Sequence, residues 1–270
     1  MSKAVAKKNS EVPAIADDAL AIFEENAGVG FEQATSDDFV LPFIRKVEAM
    51  SKCLIKTHAN YIEGASSGQL AHTVMKQCWD KVYMIPVKYD NMLQHYKFPE
   101  GSGGWIANYR FDDAQVPSHS KVEKDGKVFR VPNDQQDSYL QQTFNYIGLF
   151  FDPDMNPLGP AILPMEKSQC RTARQFNVLL NSKRITLADG SKIKAPIFSH
   201  IYEITLQSIT NDMGSFFSYA YSSGEVVTDK ELLLEAVELA KTLKDVDTTA
   251  IHDKDEDEGD EVPFEVGTEV

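Results

Sequence analysis

Between Phe39 and Tyr221 the chain repeats one pattern: a short run rich in aromatic and β-branched residues, a turn signal, then another run. This recurrence constrains the fold more than any other feature, because side chains that alternate with a period of two must lie on the faces of a sheet. The runs are KVYMIPVKY (81–89), GWIANYRF (104–111), VFRV (128–131), FNYIGLFF (144–151), HIYEITLQSIT (200–210) and FFSYAYSS (216–223). Asp125-Gly126, Asp189-Gly190 and the stretch from Asn211 to Gly214 carry hairpin chemistry, since Gly and Asn accept the positive φ that tight turns demand.

Three segments read as helices instead. In 14–26, Ile15, Leu20, Ile22 and Phe23 recur at helical spacing, with Asp17 placed to cap and Gly28 and Gly30 to break. In 165–183, Cys170, Ala173, Phe176, Leu179 and Leu180 step by three and four. In 229–244, Asp229 is the N-cap, Leu232, Leu233, Ala236, Leu239, Ala240 and Leu243 form one face, and Lys241 and Lys244 suit the helix dipole in the last turn. No internal repeat is present. The expected organisation is an N-terminal arm with a short helix (1–38), a β-rich domain ending in a helix (39–244), and an unfolded acidic tail (245–270). The fold class is mainly β, an α+β arrangement, and the pattern points to a partly open barrel of the OB type, with a sandwich as the alternative.

Charge is distributed unevenly. Residues 245–270 hold eleven of the 41 acidic residues and one of the 27 basic ones, so the tail carries −10 of the formal −14. The remaining residues are close to neutral, and the acidity of the whole chain does not argue against a nucleic-acid partner. Self-repulsion, with little apolar surface to bury, is expected to keep the tail unfolded. Within it, Val262-Pro263-Phe264 is an isolated apolar peptide that follows Asp260 and Glu261. Pro263 restricts the backbone, so docking Phe264 into a partner's pocket costs less entropy, and the carboxylates would steer it to a basic rim.

This tail resembles the acidic C-terminal tail of bacterial single-stranded DNA-binding proteins, which ends in Asp-Asp-Asp-Ile-Pro-Phe; Asp260, Glu261, Val262, Pro263 and Phe264 match its last five positions in type. Phage proteins of the same function often carry a comparable tail. The resemblance implies an OB-fold body, a tip that recruits replication and recombination proteins, and a tail that competes with DNA for the binding groove. Six residues follow Phe264 here, whereas the family's tip ends in a free carboxylate.

The body supplies a matching basic stretch. Residues 165–200 hold Lys167, Arg171, Arg174, Lys183, Arg184, Lys192 and Lys194 against Glu166 and Asp189. Lys167, Arg171 and Arg174 fall on one face of a helix. Single-strand binding needs cations along the phosphates and rings on which bases stack. In GWIANYRF, strict alternation puts Trp105, Ala107, Tyr109 and Phe111 on one face and Arg110 on the other. Trp105, beside the 101–104 glycine loop, is the ring expected to be exposed. Lys88, Lys97 and Arg130 would extend the charged track.

Other classes lack their motifs. There is no GxxxxGK[ST] phosphate loop, no GxGxxG after a strand and no HExxH; the six histidines are scattered, and Cys53, Cys78 and Cys170 form no CxxC. Cys170 reads as a core residue. No apolar stretch is long enough for a membrane span, and MSKAVAKKNSEVP lacks the apolar core of a signal peptide. The sequence therefore points to a non-enzymatic protein that binds single-stranded DNA without strong sequence preference, needs no metal or cofactor, and works in a reducing cytoplasm, that of the bacterial host if phage-encoded. A homo-oligomer is compatible with it. Two alternatives stand beside this reading. One is a phage structural or virion-associated protein with a solubilising tail. The other is a metal-dependent nuclease using Asp152 and Asp154, although FDPDMNP also has the composition of a tight turn.

Overall fold

The computed structural model describes residues 41–100, 104–124, 126–211 and 214–244, all within the second of two compact units, Leu41–Val270. The helix expected at 14–26 and the acidic tail lie outside the described residues. Strands β1 (Ile44–Lys46), β2 (Leu70–His72) and β3 (Gln77–Trp79) form a small antiparallel sheet. A larger sheet begins with β4 (Lys81–Lys97), β5 (Trp105–Arg110), β6 (His119–Lys124), β7 (Lys127–Pro132), β8 (Ser138–Phe151) and β9 (Pro157–Glu166). Helix α1 (Cys170–Ser182) and the separate hairpin of β10 (Arg184–Thr186) and β11 (Lys192–Lys194) follow. The larger sheet then gains β12 (His200–Asn211), β13 (Gly214–Tyr221) and β14 (Glu225–Val226), before helix α2 (Lys230–Lys244).

Two long strands, β4 and β8, pair along their whole length and organise everything else. Beside the first half of β4 and the second half of β8, the order is β13-β12-β4-β8-β9; beside their other halves it is β5-β4-β8-β7-β6. The sheet is open. The mainly-β expectation holds, and no pairing among the described residues joins the ends, so the sheet does not close into a barrel.

The three hairpins expected from turn chemistry form β6–β7, β10–β11 and β12–β13, with Gly126 and Gly190 at φ 74° and 80°. Strand β9 was not legible, because Pro157, Pro160 and Pro164 interrupt it. It is tolerated because of where those prolines point. The outward N–H of Ile162 donates to the Pro42 carbonyl at 2.8 Å. Pro160 and Pro164 lie two residues to either side, so their missing donors also belong to the outer edge. The helix expected from residue 165 begins later: β9 continues through Glu166, a single 3-10 turn spans Lys167–Gln169, and α1 starts at Cys170.

Where the β4–β8 register shifts, Pro86 faces Gly148 and Lys88 faces Ile147, leaving Val87 as a bulge. Proline in a central strand is accommodated there because the ladder is already interrupted. Gly148 is required by proximity: a Cβ would sit 2.3 Å from the Ile85 carbonyl oxygen.

Both helices cover the same half of the sheet, from opposite sides. Ala173, Phe176 and Leu180 of α1 pack with Val82, Met84, Phe144, Tyr146, Phe150 and Tyr202. Ala236 and Leu243 of α2 pack with Ile85, Val87, Ile147, Leu149 and Phe151. Asp229 caps α2 as its sequence suggests, accepting from the N–H groups of Glu231 (2.8 Å) and Leu232 (3.3 Å). No helix among the described residues is long and apolar enough to cross a membrane.

Candidate nucleic-acid interface

The clusters beneath the helices take residues of β4 only up to Tyr89 and of β8 only from Phe144 onward. Beyond that line the same two strands still bury Met92, Leu93, Tyr139 and Leu140, but polar pairs are interleaved with them. Gln142 Nε2 donates to Asn91 Oδ1 at 2.9 Å, Thr143 Oγ1 to Gln94 Oε1 at 2.6 Å, and the Gln141 amide to the Glu166 carboxylate. Gln142 and Thr143 are buried. Amides and hydroxyls can occupy buried positions because they pair with one another across the strands.

Residue pairing fixes which face each group occupies. Tyr89, Asn91, Leu93 and His95 pair with Tyr146, Phe144, Gln142 and Leu140, all on the α1 side of the sheet. Arg130, opposite Leu140, is on that side too. Arg174 reaches it from the second turn of α1. Both arginines donate to one acceptor, Gln142 Oε1, each at 3.3 Å. Neither forms an ion pair with a carboxylate among the described residues. Their donor nitrogens are thus within about 7 Å, where two like charges repel by about 2 kcal/mol at an effective dielectric near 20, before solvent screening. The rings of Phe111 and Phe144 lie 5.8 Å and 5.6 Å from the Arg130 and Arg174 guanidinium carbons. Phe111 is 42% exposed, whereas Phe144 is buried.

The start of α1 is held by a residue with no sequence signal. Gln169, buried at the head of the helix, donates from Nε2 to the Phe217 carbonyl (3.1 Å) and accepts at Oε1 from Tyr219 N–H (3.1 Å) and Ser218 Oγ (2.9 Å). It pairs with β13 much as another strand residue would. Just before it, Lys167 adopts φ 50°, the left-handed region that a lysine enters only at a cost of about 1–2 kcal/mol. Together these turn the chain from β9 into α1 and place Arg174 over Gln142.

The seven cations expected to line one channel divide into two groups. Arg174 joins Arg130, while Lys167 and Lys127 share the Glu100 carboxylate at 3.5 Å and 2.7 Å. Burial pushes the Glu100 carboxyl up, but the two lysines outweigh it and hold it below its ordinary range. Arg171 is exposed on the same helix. The remaining four sit at the opposite end of α1, about 20 Å away along a thirteen-residue helix. There Lys183 donates to the Ser223 carbonyl, and Arg184 to the carbonyls of Asn181 (2.9 Å) and Lys183 (2.8 Å), as a helix C-cap does. Arg184 faces Lys194, and Lys192 faces Thr186, so these three cations share one face of the β10–β11 hairpin.

Strand β5 also departs from simple alternation. Tyr96 pairs with Trp105 but His95 pairs with Ala107, so the strand bulges at Ile106. Trp105 therefore shares a face with Asn108 and Arg110, and its indole N–H donates to Asn108 Oδ1 at 3.0 Å. Tyr109 lies on the other face, 6.2 Å from His95. The expected grouping of Trp105 with Tyr109 and apart from Arg110 is thus reversed. Trp105 is exposed, as anticipated, at 39%. Lys88 does not extend a cationic track: it faces α2 and donates to the Leu243 carbonyl at 3.0 Å.

The acidic pair of FDPDMNP forms a turn. Asp152 Oδ1 accepts from the N–H groups of Asp154 (2.9 Å) and Asn156 (2.8 Å), and Oδ2 from Asn156 Nδ2 (2.8 Å). No group of three potential metal ligands is present among the described residues. Cys170 packs against the α1-side core, and burial pushes its thiol up. The tail residues Asp260 to Phe264 lie outside the described residues. No curated protein and no solved structure matches the chain. A family model described as Pam3 phage gp34-like protein matches residues 7–249. That span takes in every strand and helix described above, and the chain belongs to the Pam3 phage gp34-like protein family.

Proposed function

We propose that this protein binds single-stranded DNA, without catalysis and without strong sequence preference, during phage replication or recombination in the host cytoplasm. The observation that carries the reading is that exposed rings and cations occur together on the half of the sheet lying beyond both apolar clusters. Phe111 with Arg130 and Arg174 is on one face; Trp105 with Arg110 is on the other. Cations track phosphates and rings stack bases whatever the sequence, at about 1–3 kcal/mol per base. The reading does not depend on an OB-type barrel. The tail, with its Asp260–Phe264 tip, then recruits partner proteins and competes with DNA.

The test is fluorescence titration with oligo-dT and with duplex of equal length, at two salt concentrations, in a Trp79→Phe background that isolates Trp105. Quenching by oligo-dT, weaker binding to duplex, and affinity that falls with salt are expected. An unchanged Trp105 signal together with no gel shift at low salt sinks the proposal. Removing 245–270 is expected to tighten binding at low salt; equal affinity would remove the tail's competing role.

A further inference from the structure

The geometry points to a phosphate clamp formed by Arg130 and Arg174, in which Gln142 is a positioning residue and Phe111 offers a platform for the adjoining base. It rests on the single-strand reading and says which contact on that surface holds the backbone. Each guanidinium has five N–H donors, and one from each meets Gln142 Oε1 at 3.3 Å. The Gln142 amide is oriented from behind: its Nε2 donates to Asn91 Oδ1 at 2.9 Å, which turns the oxygen towards the arginines. A neutral acceptor at this point gathers two cations without cancelling either. A carboxylate would have cancelled one of the two charges. Two converging guanidinium groups match the several acceptor oxygens of a phosphate, which accepts planar, paired N–H donors. Phe111, exposed and 5.8 Å from the Arg130 guanidinium carbon, lies where the next base along a strand could stack. A phosphodiester in a strand and a free phosphate share this chemistry, and the proposal commits to the diester.

Gln142→Glu is the sharpest variant, because it keeps the shape and fills the clamp with the protein's own carboxylate. Gln115→Glu, at an exposed position, controls for the added charge. Thermal unfolding first confirms that both variants fold. Gln142→Glu, and Arg174→Gln separately, are expected to weaken oligo-dT binding by about tenfold or more and to lower the salt slope by about one. Arg130→Gln combined with Arg174→Gln should lose little more than either alone, since both act on one phosphate. In the wild-type chain, the arginine Nε–H NMR signals of Arg130 and Arg174 should move with the dinucleotide dTpdT and stay still with thymidine. If wild type binds oligo-dT and these variants bind it equally well with the same slope, the clamp is wrong and the single-strand reading survives. If wild type does not bind oligo-dT at low salt, the reading falls and the diester clamp with it. Signals that move as far with inorganic phosphate as with dTpdT overturn the diester in favour of a free phosphate, and signals that answer only to an acidic peptide overturn both.

Discussion

The same two strands, β4 and β8, run through two regions of opposite character. In the near region, between the helices, their facing residues are Val82, Met84, Ile85, Phe144, Tyr146, Ile147, Leu149 and Phe150, all buried. In the far region buried Met92, Leu93, Tyr139 and Leu140 are interleaved with Asn91, Gln94, Gln142 and Thr143, which hydrogen-bond across the two strands, and with Gln141, which bonds to Glu166 of β9. Apolar burial gives the near region its stability, at about 25 cal/mol for each Å² removed from water. Paired amides contribute only about 1 kcal/mol each, but they hold side chains in fixed directions. One pair of strands thus anchors an apolar scaffold at one end and, at the other, a largely buried polar network that orients the exposed cations and rings around it. The division predicts that changes to the near-region core act on stability and changes to the exposed far-region rings and cations act on binding.

The largest effect is expected at the bulge between β4 and β8. Gly148→Ala puts a methyl 2.3 Å from the Ile85 carbonyl oxygen, in backbone that cannot step aside without moving both central strands. A loss above about 4 kcal/mol, or failure to fold, is expected in urea unfolding. A loss below about 1 kcal/mol would mean that β4 and β8 do not approach so closely at Gly148.

The division is tested directly by two phenylalanines. Phe176 is fully buried and contacts the rings of Tyr146 (5.0 Å), Tyr202 (5.2 Å) and Tyr221 (4.6 Å). Phe176→Ala should cost about 3–5 kcal/mol of stability. Phe111→Ala should change stability by less than about 0.5 kcal/mol yet weaken oligo-dT binding by about 1–3 kcal/mol. Equal stability losses in the two variants would erase the distinction between scaffold and surface.

Much of the near region was legible in the sequence, because its signals are local. A continuous apolar run announced β8, an alternating one β12, and Asp229 the start of α2; outside that region too, turn residues announced the hairpins. What was not legible depends on residues distant in sequence. Strand β9 is hidden by prolines that are harmless only because of which edge they face. The bulge at Ile106, which reverses the face of Trp105, is a property of pairing with β4 and not of β5 alone. Gln142 and Gln169 act through partners 32 and 49 residues away, and a glutamine gives no sign of such a role. The basic stretch was visible as composition, but a linear count cannot tell that α1 sends its cations to two separate ends.

Acid should weaken both regions through buried histidines. Burial lowers the affinity of His72, His95 and His200 for a proton; Asp134 and Asp137 partly oppose this at His95, and Lys183 adds to it at His200. Their folded pKa values lie below the ordinary ~6.5 of the unfolded chain, so the unfolded state takes up protons first as pH falls. The stability they contribute is complete above about pH 6.5 and is lost as pH drops from there towards the folded values, by up to about 1.4 kcal/mol per pH unit for each. Melting temperature should therefore decline between pH 7 and 5, before the carboxylates titrate. His95 belongs to the far region, where its Nε2 lies 2.8 Å from Ser138 Oγ. His95→Gln should flatten the decline, and a profile as steep as wild type would place the acid sensitivity in the near region and the small sheet alone.

The smallest effect separates cations that are merely present from cations that meet the strand. Glu100 holds Lys127 at 2.7 Å and Lys167 at 3.5 Å. Glu100→Gln releases both ammonium groups from that carboxylate and removes one negative charge. Pairs this close to the surface contribute less than about 1 kcal/mol, so stability should barely change. If the strand runs past this corner, oligo-dT should bind about two- to fivefold more tightly at low salt, with a steeper salt dependence, because additional counterions are released. If affinity and slope stay as in wild type, Lys127 and Lys167 lie off the path, and the far region's contact with DNA narrows to Arg110, Arg130, Arg174 and the rings beside them.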